Sequence, residues 1–320
     1  MRLVFMGTPD FSVPALRALV SEGHDVVGVF TQPDRRAGRG KNVKPSPVKV
    51  AAEELGLVVF QPEKIKTSEG IQQLRALAPE CIIVVAYGQI LSRDILQLPS
   101  KGCINVHASL LPAYRGAAPI HWAVMMGEPR TGVTTMLMNE GLDTGDMLLR
   151  QEVLISNEAT TGEIHDKLAV LGGELLIDTL DELEKGRLIP TPQTGESNYA
   201  PLLKREHESL DWSRRAVDLH NQIRGLNPWP GAFATFRGEN LKIWRSAHFL
   251  QIDNASEIEA FSQETMGEPG QIIQVLGEEL LVRTGEGVLR ISEVQPAGKR
   301  AMPARDFFNG RHGQVGEKLG

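Results

Sequence analysis

The chain has 320 residues, with 34 Lys and Arg against 40 Asp and Glu, so its formal net charge at pH 7 is −6. Hydrophobic residues make up 41% and charged residues 23% of it, which argues against intrinsic disorder and predicts about two globular domains. The acidic balance argues against a surface that binds nucleic acid everywhere, although it leaves room for a local basic patch.

Two cysteines, Cys81 and Cys103, are too few to staple a chain of this length, and no Cys/His spacing typical of zinc accompanies them. The first apolar stretch is too short for a signal peptide, and the longest apolar run, at 81–86, is too short to cross a bilayer. We therefore expect a cytoplasmic protein without a membrane segment, a disulfide scaffold or a bound metal.

The first third of the chain alternates apolar runs with amphipathic segments. Strands separated by helices favour parallel pairing, so this part predicts an α/β domain with a doubly wound parallel sheet and helices on both faces. Strands are predicted at 3–6, 25–30, 57–60 and 81–86, and helices at 13–19, 47–55 and 68–77.

The pattern changes after Gly132. Apolar runs at 133–138 and 147–153 flank a turn-rich stretch and predict an antiparallel hairpin, which a long helix over 161–184 follows. Residues 190–198 have the composition of a linker. A helix at 213–224 and five short β-like runs then predict a small barrel. The runs lie at 232–236, 241–244, 270–275, 279–283 and 287–294, and we expect domains at 1–189 and 207–320 joined by a linker at 190–206.

The first strand-to-helix turn, residues 7–10, lacks the G-x-G-x-x-G pattern, and the chain has no G-x-x-x-x-G-K-[ST] motif. Proline replaces the glycine spacing that lets a backbone approach a pyrophosphate. The sequence therefore disfavours a dinucleotide cofactor and the common NTPases.

The most informative motif is the run Cys-Ile-Asn-Val-His-Ala-Ser-Leu-Leu-Pro at 103–112. Asn105, His107 and Ser109 alternate, so on a strand they share one face. Burying polar side chains is unfavourable unless they form hydrogen bonds to the protein or to a bound molecule. An amide beside an imidazole suits acyl transfer, because the amide stabilises an oxyanion while the imidazole moves a proton. The alternative is that these side chains only bond loop backbone near a strand end, and the residues alone leave the two interpretations evenly matched.

A second polar run, at 140–146, occupies the turn of the predicted hairpin. Asp143 in this run can orient His107 if the turn folds over the end of the strand. Taken alone, the run is more typical of an ordinary turn. A metal site made of Asp143 and Asp146 is weaker still, because no further ligands cluster with them in the sequence.

Together these motifs resemble those of the folate-dependent formyltransferases. The pattern Asn-x-His-x-Ser-Leu-Leu-Pro is matched at 105–112, and Leu-Asp-x-Gly is matched at 142–145. Further runs are similar to the methionyl-tRNA formyltransferase family within that group, and the similarity covers nearly the whole chain. They are Gly-Thr-Pro-Asp-Phe at 7–11, Thr-Gln-Pro-Asp-Arg at 31–35, Gly-Arg-Gly-Lys at 38–41, Pro-Ser-Pro-Val-Lys at 45–49, Tyr-Arg-Gly-Ala-Ala-Pro at 114–119, Asn-Pro-Trp-Pro at 227–230 and Gln-Pro-Ala-Gly-Lys at 295–299.

The resemblance implies transfer of the formyl group of 10-formyltetrahydrofolate to the α-amino group of initiator methionyl-tRNA, for translation initiation. It implies a Rossmann-like catalytic domain followed by an OB-like barrel that holds the tRNA acceptor arm, and we expect a cytoplasmic monomer. Asn105 and His107 would stabilise the oxyanion, and Asp143 would set the imidazole tautomer and help to move the proton. The implied folate-pocket residues are Gln89, Ile90, Leu91, Ser109, Leu110, Leu111 and Pro112, with core packing as a competing interpretation for Leu110 and Leu111.

Residues 31–50 carry six basic side chains against one acidic one, a net charge of +5, among glycines and prolines that predict a loop. Taken alone, such a loop is more typical of a solvated surface, although its charge also suits phosphate contacts. The resemblance implies tRNA binding, with Arg39 at the position of the family's loop arginine and with Arg36 and Lys41 as further contacts. Family members commonly have Pro at 36 and Lys at 42, where this chain has Arg36 and Asn42.

Aromatic and basic side chains of the second domain give two further expectations. The spacing of the aromatics Trp229, Phe233, Phe236, Trp244 and Phe249 predicts core packing rather than base stacking. The basic residues that are candidates for phosphate contacts are Arg214, Arg215, Arg224, Lys242, Arg245, Lys299 and Arg300.

Three rival functions remain open from the sequence. Within the family, they are a 10-formyltetrahydrofolate-dependent formyltransferase that acts on a nucleotide or sugar amine, and a formyltetrahydrofolate hydrolase. Outside it, the rival is an RNA-binding module without catalysis. The predicted barrel and basic loop argue against the first two, and the set of Asn105, His107 and Asp143 argues against the third.

Overall fold

The computed structural model describes residues 1–36, 43–249 and 267–320. Contacts within the chain group it into two compact units. The first unit consists of Met1–Pro119, Arg130–Leu154 and His165–Pro201, and the second consists of Ile120–Pro129, Ile155–Ile164 and Leu202–Gly320.

Two of the helices begin at side-chain caps with proline or glycine in their first turn, α2 (Pro47–Glu54) and α3 (Ser68–Leu77). The Ser46 hydroxyl accepts a hydrogen bond from the backbone N–H of Lys49, and the Thr67 hydroxyl accepts one from that of Gly70, so both caps satisfy an otherwise unpaired donor. The helices in the described residues are α1 (Val13–Ser21), α2 (Pro47–Glu54), α3 (Ser68–Leu77), α4 (Arg93–Leu96), α5 (Pro119–Met125), α6 (Thr161–Glu184), α7 (Ala216–Gly225) and α8 (Ala304–Gly310).

A seven-stranded sheet forms the centre of the first unit, and its continuous apolar strands are buried because helices cover both faces. Two short two-stranded ladders, β3 with β4 and β8 with β11, accompany it. The strands of this unit are β1 (Arg2–Gly7), β2 (Asp25–Phe30), β3 (Arg35–Arg36), β4 (Val43–Lys44), β5 (Val59–Phe60), β6 (Cys81–Val85), β7 (Cys103–His107), β8 (Arg115–Gly116), β9 (Arg130–Leu137), β10 (Met147–Leu154) and β11 (Tyr199–Ala200).

The strand order is β10-β9-β7-β6-β1-β2-β5. The five strands from β7 to β5 are parallel, whereas β9 and β10 form an antiparallel hairpin at the opposite edge. This arrangement confirms the predicted doubly wound sheet and the predicted hairpin. The order of the chain reverses between β1 and β6, and open α/β sheets bind ligands at the carboxyl ends of the strands at such a reversal.

The second unit contains a curled antiparallel half-barrel of OB type, as the spacing of short strands predicts. Its order is β12-β13-β16-β15-β14, with β17 paired to β16 at Glu293 and Val294, and the apolar face of α7 packs into the same core. The strands are β12 (Phe233–Phe236), β13 (Glu239–Phe249), β14 (Ile272–Leu276), β15 (Glu279–Arg283), β16 (Val288–Pro296) and β17 (Met302–Pro303).

Two expectations for the second unit are wrong. Trp229 does not belong to the core, because it lies in the turn before β12 and is 66% exposed, whereas Phe236 on the strand itself is buried as predicted. Arg224 is not a surface cation: its guanidinium is buried and donates to the backbone carbonyls of Ser156 and Ala159. Phe233 and Trp244 are partly buried, and the side chain of Phe249 lies outside the described part of the chain.

Candidate active site

The polar pair Asn105 and His107 lies on β7, between β6 and β9, where the alternation of the strand directs both side chains to one face. Asn105 is 8% exposed and His107 is 6% exposed. The side-chain amide of Asn105 has no hydrogen-bond partner among the described residues. Since a buried amide is normally paired, this group is available to a bound molecule.

His107 has a protein group facing each of its ring nitrogens. Its Nε2 lies 2.9 Å from the backbone carbonyl oxygen of Tyr114, and because a carbonyl only accepts, Nε2 carries a proton in this arrangement. Its Nδ1 lies 3.8 Å from the carboxylate oxygen Oδ2 of Asp143. The ring is therefore held by a carbonyl on one side and approached by a carboxylate on the other.

Asp143 lies in the loop between β9 and β10 and has a left-handed backbone conformation, with φ at 50°. Its Oδ2 accepts a hydrogen bond of 2.8 Å from the backbone N–H of Gly116 in β8. The amide of Gln193 donates to the backbone carbonyls of Asp143 and Gly145, in both cases at 2.8 Å. The predicted approach of Asp143 to His107 thus occurs, and it depends on residues from two other segments.

The turn after β7 is held by its own polar side chains. β7 ends at His107, so Ser109 lies in the turn rather than on the strand face, and its hydroxyl donates to the backbone carbonyl of Ala113 at 2.6 Å. The Thr134 hydroxyl accepts from the N–H of Leu111 and donates to the carbonyl of Ser109. Leu111 is fully buried against two methionines of the hairpin, whereas Leu110 and Pro112 are partly exposed.

The segment after β6, residues 86–91, also ends at this edge of the sheet. The backbone carbonyl of Tyr87 accepts from the Thr8 hydroxyl and from the Gln32 amide, which ties the ends of β1, β2 and β6 together. Both ends of the Gln89 amide bond to backbone, with Oε1 2.7 Å from the N–H of Ile65 and Nε2 3.1 Å from the carbonyl of Pro62.

Ile90 and Leu91, the other two predicted folate residues of this segment, differ sharply in exposure. Ile90 is 86% exposed, whereas Leu91 is buried in the core cluster that also contains Tyr87. Of the predicted folate residues, therefore, Ile90, Leu110 and Pro112 present side-chain surface. The side chains of the other four, Gln89, Leu91, Ser109 and Leu111, bond or pack within the protein.

The predicted tRNA residues Arg39 and Lys41, and the side chain of Arg36, lie outside the described residues. On either side, β3 and β4 pair antiparallel, so the loop begins and ends at one ladder. At the base of the loop Lys49 forms an ion pair of 2.6 Å with Asp34, and hydrogen bonds from Lys49 and Gln61 hold the pKa of this carboxyl below its usual value. Arg35 on β3 also lies 3.7 Å from the carboxylate of Glu63, so two of the six basic side chains are already paired.

Gln193 and Asn198 belong to no motif of the sequence, whereas Arg115 stands in the family run at 114–119. Gln193 and Asn198 belong to the stretch with the composition of a linker, and Arg115 lies in β8. Gln193 accepts two hydrogen bonds from Arg115, and the side-chain oxygen of Asn198 accepts from the N–H of Tyr114. No group of three or more His, Cys, Asp or Glu in the described ranges is placed to hold a metal ion.

The chain matches two family profiles and many curated proteins. The profile described as Formyl transferase matches residues 1–180, and that described as Formyl transferase, C-terminal domain, matches residues 202–312. A protein named methionyl-tRNA formyltransferase from Pelotomaculum thermopropionicum is 52% identical, over 100% of this chain and 99% of its own. One of the same name from Bacillus subtilis strain 168 is 48% identical, over 100% and 98%.

Solved structures share the fold at low sequence identity. The N-formyltransferase of Helicobacter canadensis, solved with folinic acid and dTDP-3-aminofucose, has a TM-score of 0.65 at 16% identity and covers 92% of this chain and 99% of its own. HypX of Aquifex aeolicus with tetrahydrofolic acid has a TM-score of 0.63 at 18% identity, and this chain spans about half of its length. No helix in the described residues is both long and apolar enough to span a membrane.

Proposed function

This chain belongs to the formyl transferase family, and from that membership we propose that it formylates the α-amino group of methionyl-tRNA with a folate as formyl donor. The observation that carries the substrate assignment is identity of about one half, over the full length, to proteins that bear this activity in their names. For the donor we propose 10-formyltetrahydrofolate, and we expect the enzyme to act as a cytoplasmic monomer.

The proposed reaction is acyl transfer between two nitrogens. The amine of the aminoacyl group attacks the formyl carbon, a new C–N bond forms, and the bond from that carbon to the donor nitrogen breaks as the proton moves to the leaving nitrogen. Negative charge develops on the formyl oxygen between the two steps. The buried, unpartnered amide of Asn105 suits this oxygen, because an oriented donor in a site with little water stabilises an oxyanion strongly.

His107 and Asp143 supply charge and proton transfer beside Asn105. The Nε2 of His107 bonds to the carbonyl of Tyr114, and the carboxylate of Asp143 lies 3.8 Å from its Nδ1, so a negative group faces the ring. The polarised ring adds to the stabilisation of the oxyanion. Asp143 fixes the orientation of the ring and assists the transfer of the proton from the attacking amine to the leaving nitrogen.

We propose that the folate ring system lies at the carboxyl ends of β1, β6 and β7. The backbone of 87–91 supplies hydrogen bonds to its polar edge, and Ile90, Leu110 and Pro112 supply partly exposed apolar surface. A flat, partly polar ring needs both, since pockets for such ligands are mostly apolar with a few placed polar groups.

For the tRNA, we propose that the loop at 31–50 contacts phosphates near the reacting end, with Arg39, Lys41 and Arg36 as contacts. In the second unit, the side chains of Lys299 and Arg300 are exposed and have no ion-pair partner in the described ranges, which suits phosphate contacts there too. Neutralising Arg39 and Lys41 together should reduce the slope of log affinity against log salt by about 1.5, since each phosphate contact contributes about 0.7 to 0.9. An unchanged slope would remove the loop from the tRNA site.

The deciding experiment supplies the purified chain with 10-formyltetrahydrofolate and with initiator or elongator methionyl-tRNA, and measures blocking of the amino group. We expect transfer to initiator methionyl-tRNA, and a loss of about 10²- to 10³-fold in kcat for Asn105→Ala. Asn309→Ala, at an exposed position of α8, is the matched control and should keep full activity. Transfer to a ribonucleotide or sugar amine but to neither tRNA would reject the proposal, and near-normal turnover of Asn105→Ala would reject the role of the amide.

A further inference from the structure

Residues 191–200, which we call the clasp, have the composition of a linker but are fixed at both ends. Thr191 exchanges two backbone hydrogen bonds with Met147, the first residue of β10, each of 2.8 Å. At the other end β11 pairs with β8, and the carbonyl of Ala200 accepts a bond of 2.9 Å from the N–H of Ala117. The clasp therefore connects the start of β10, where the loop that carries Asp143 ends, with β8, which contains its partner Gly116.

Within the clasp, one side chain bonds to both elements. The Gln193 Nε2 donates to the carbonyls of Asp143 and Gly145, and its Oε1 accepts from the Nε and a terminal nitrogen of Arg115, at 3.1 and 2.7 Å. A guanidinium only donates, so Arg115 requires the oxygen on its side and leaves the NH₂ group facing the loop. A single orientation of the Gln193 amide therefore satisfies all four hydrogen bonds.

The restraint acts on a residue with an uncommon backbone conformation. Asp143 is left-handed, with φ at 50°, a region that residues other than glycine adopt seldom and that Asp tolerates better than most. With both hydrogens of one NH₂ group bonded to carbonyls two residues apart, the backbone around Asp143 cannot relax without breaking a bond. The position of its carboxylate relative to His107 follows from this backbone.

We propose that Gln193 is a positioning residue for formyl transfer: through the carbonyls of Asp143 and Gly145 it holds the Asp143 carboxylate between Gly116 and His107. This inference rests on the proposed function, because it assigns to Asp143 a part in the reaction. The segment between the two matched family domains would then contribute to catalysis and not only join the domains.

Gln193→Glu tests the proposal, because glutamate keeps the acceptor for Arg115 and the side-chain volume but cannot donate to the two carbonyls. Gln193→Met removes donor and acceptor without adding charge. Both variants should lower kcat by about 10-fold or more while the KM values for tRNA and folate stay within about 2-fold, since misplacement of a reacting group affects turnover first. Gln151→Glu on β10 is the matched control, because this exposed glutamine has no side-chain hydrogen bond in the described residues.

Two further measurements distinguish positioning from loosening of the clasp. Hydrogen exchange at the amide of Gly116 reports its hydrogen bond to the Asp143 carboxylate. Exchange at the amide of Ala117 reports its hydrogen bond to Ala200 beside the β8–β11 ladder. In Gln193→Glu, NMR-detected hydrogen exchange should accelerate at Gly116 and stay unchanged at Ala117. In an Asp143→Asn background, Gln193→Glu should change kcat by less than about 2-fold, because residues that act as one unit are not additive.

Each outcome has a defined meaning. Unchanged exchange at Gly116, equal acceleration at both amides, a rise in KM without a fall in kcat, or full additivity with Asp143→Asn would each overturn the inference. If the wild-type chain transfers no formyl group to methionyl-tRNA but exchange at Gly116 alone accelerates in the variant, the proposed function fails while Gln193 remains the residue that positions Asp143.

Discussion

At Gly145 the loop that carries Asp143 passes close to the backbone of Leu137. A Cβ built on Gly145 would lie 1.6 Å from the carbonyl oxygen of Leu137, where real Cβ contacts essentially never fall below 3.0 Å, so Gly145→Ala requires a shift of about 1.4 Å. The two chain segments that meet here cannot separate freely, because the N–H of Leu137 bonds to the carbonyl of Asp146 at 2.9 Å. Overpacking of this kind destabilises a protein by about 1 to 3 kcal/mol.

The same shift displaces Asp143, two residues away, from its place 3.8 Å from His107. A misplacement of about 1 Å at a reacting group can lower turnover by about 100-fold, so we expect a loss in kcat of at least that size for Gly145→Ala. The assay is formyl transfer at a temperature well below the unfolding midpoint of the variant. Gly310→Ala, with open space around its Cβ, is the control and should be within about 0.5 kcal/mol of wild type. Near wild-type kcat for Gly145→Ala would refute the argument that the close approach of Gly145 to Leu137 fixes the position of Asp143.

Two further expectations concern stability in the second unit. Phe236→Ala should lower the free energy of unfolding by about 3 to 5 kcal/mol, because Phe236 is buried, whereas Trp229→Ala should change it by less than about 1 kcal/mol; urea titration measures both. Burial lowers the pKa of His220, so below about pH 6.5 the unfolded chain binds a proton that the folded chain does not. The free energy of unfolding therefore decreases as the pH is lowered below that value. His220→Asn should flatten that fall, and an unchanged pH profile would contradict it.

The main elements follow from the sequence because the central strands are continuous apolar runs and the helices repeat their apolar residues at helical spacing. The predicted helix over 161–184 has the bounds observed for α6, and the predicted strand at 81–86 differs by one residue from β6. The two-residue strands β8 and β11 had no such signal. Each forms only because the other is next to it, and that pairing depends on the folding of segments about 80 residues apart.

In the candidate site, too, local features could be predicted from the sequence and features that depend on distant segments could not. The alternation of Asn105 and His107 is a local property of a strand, and it predicts their common face. The approach of Asp143 could only be stated conditionally, because it depends on where a loop folds. Gln193 could not be found at all from the sequence: its neighbours predict a linker, and its importance lies in the two carbonyls and the guanidinium that the fold brings to it.

The division of the chain into two compact units has a consequence for gene fusion and recombination. Ile120–Pro129 and Ile155–Ile164 group with Leu202–Gly320, so the chain passes from one unit to the other five times. A fragment that starts at Leu202 leaves behind the carbonyl of Asn157, which is the partner of His220, and the two carbonyls that bond Arg224. Exchange of 202–320 alone by one crossover would therefore separate these buried groups from their partners, whereas a transfer that includes both short segments would keep them together.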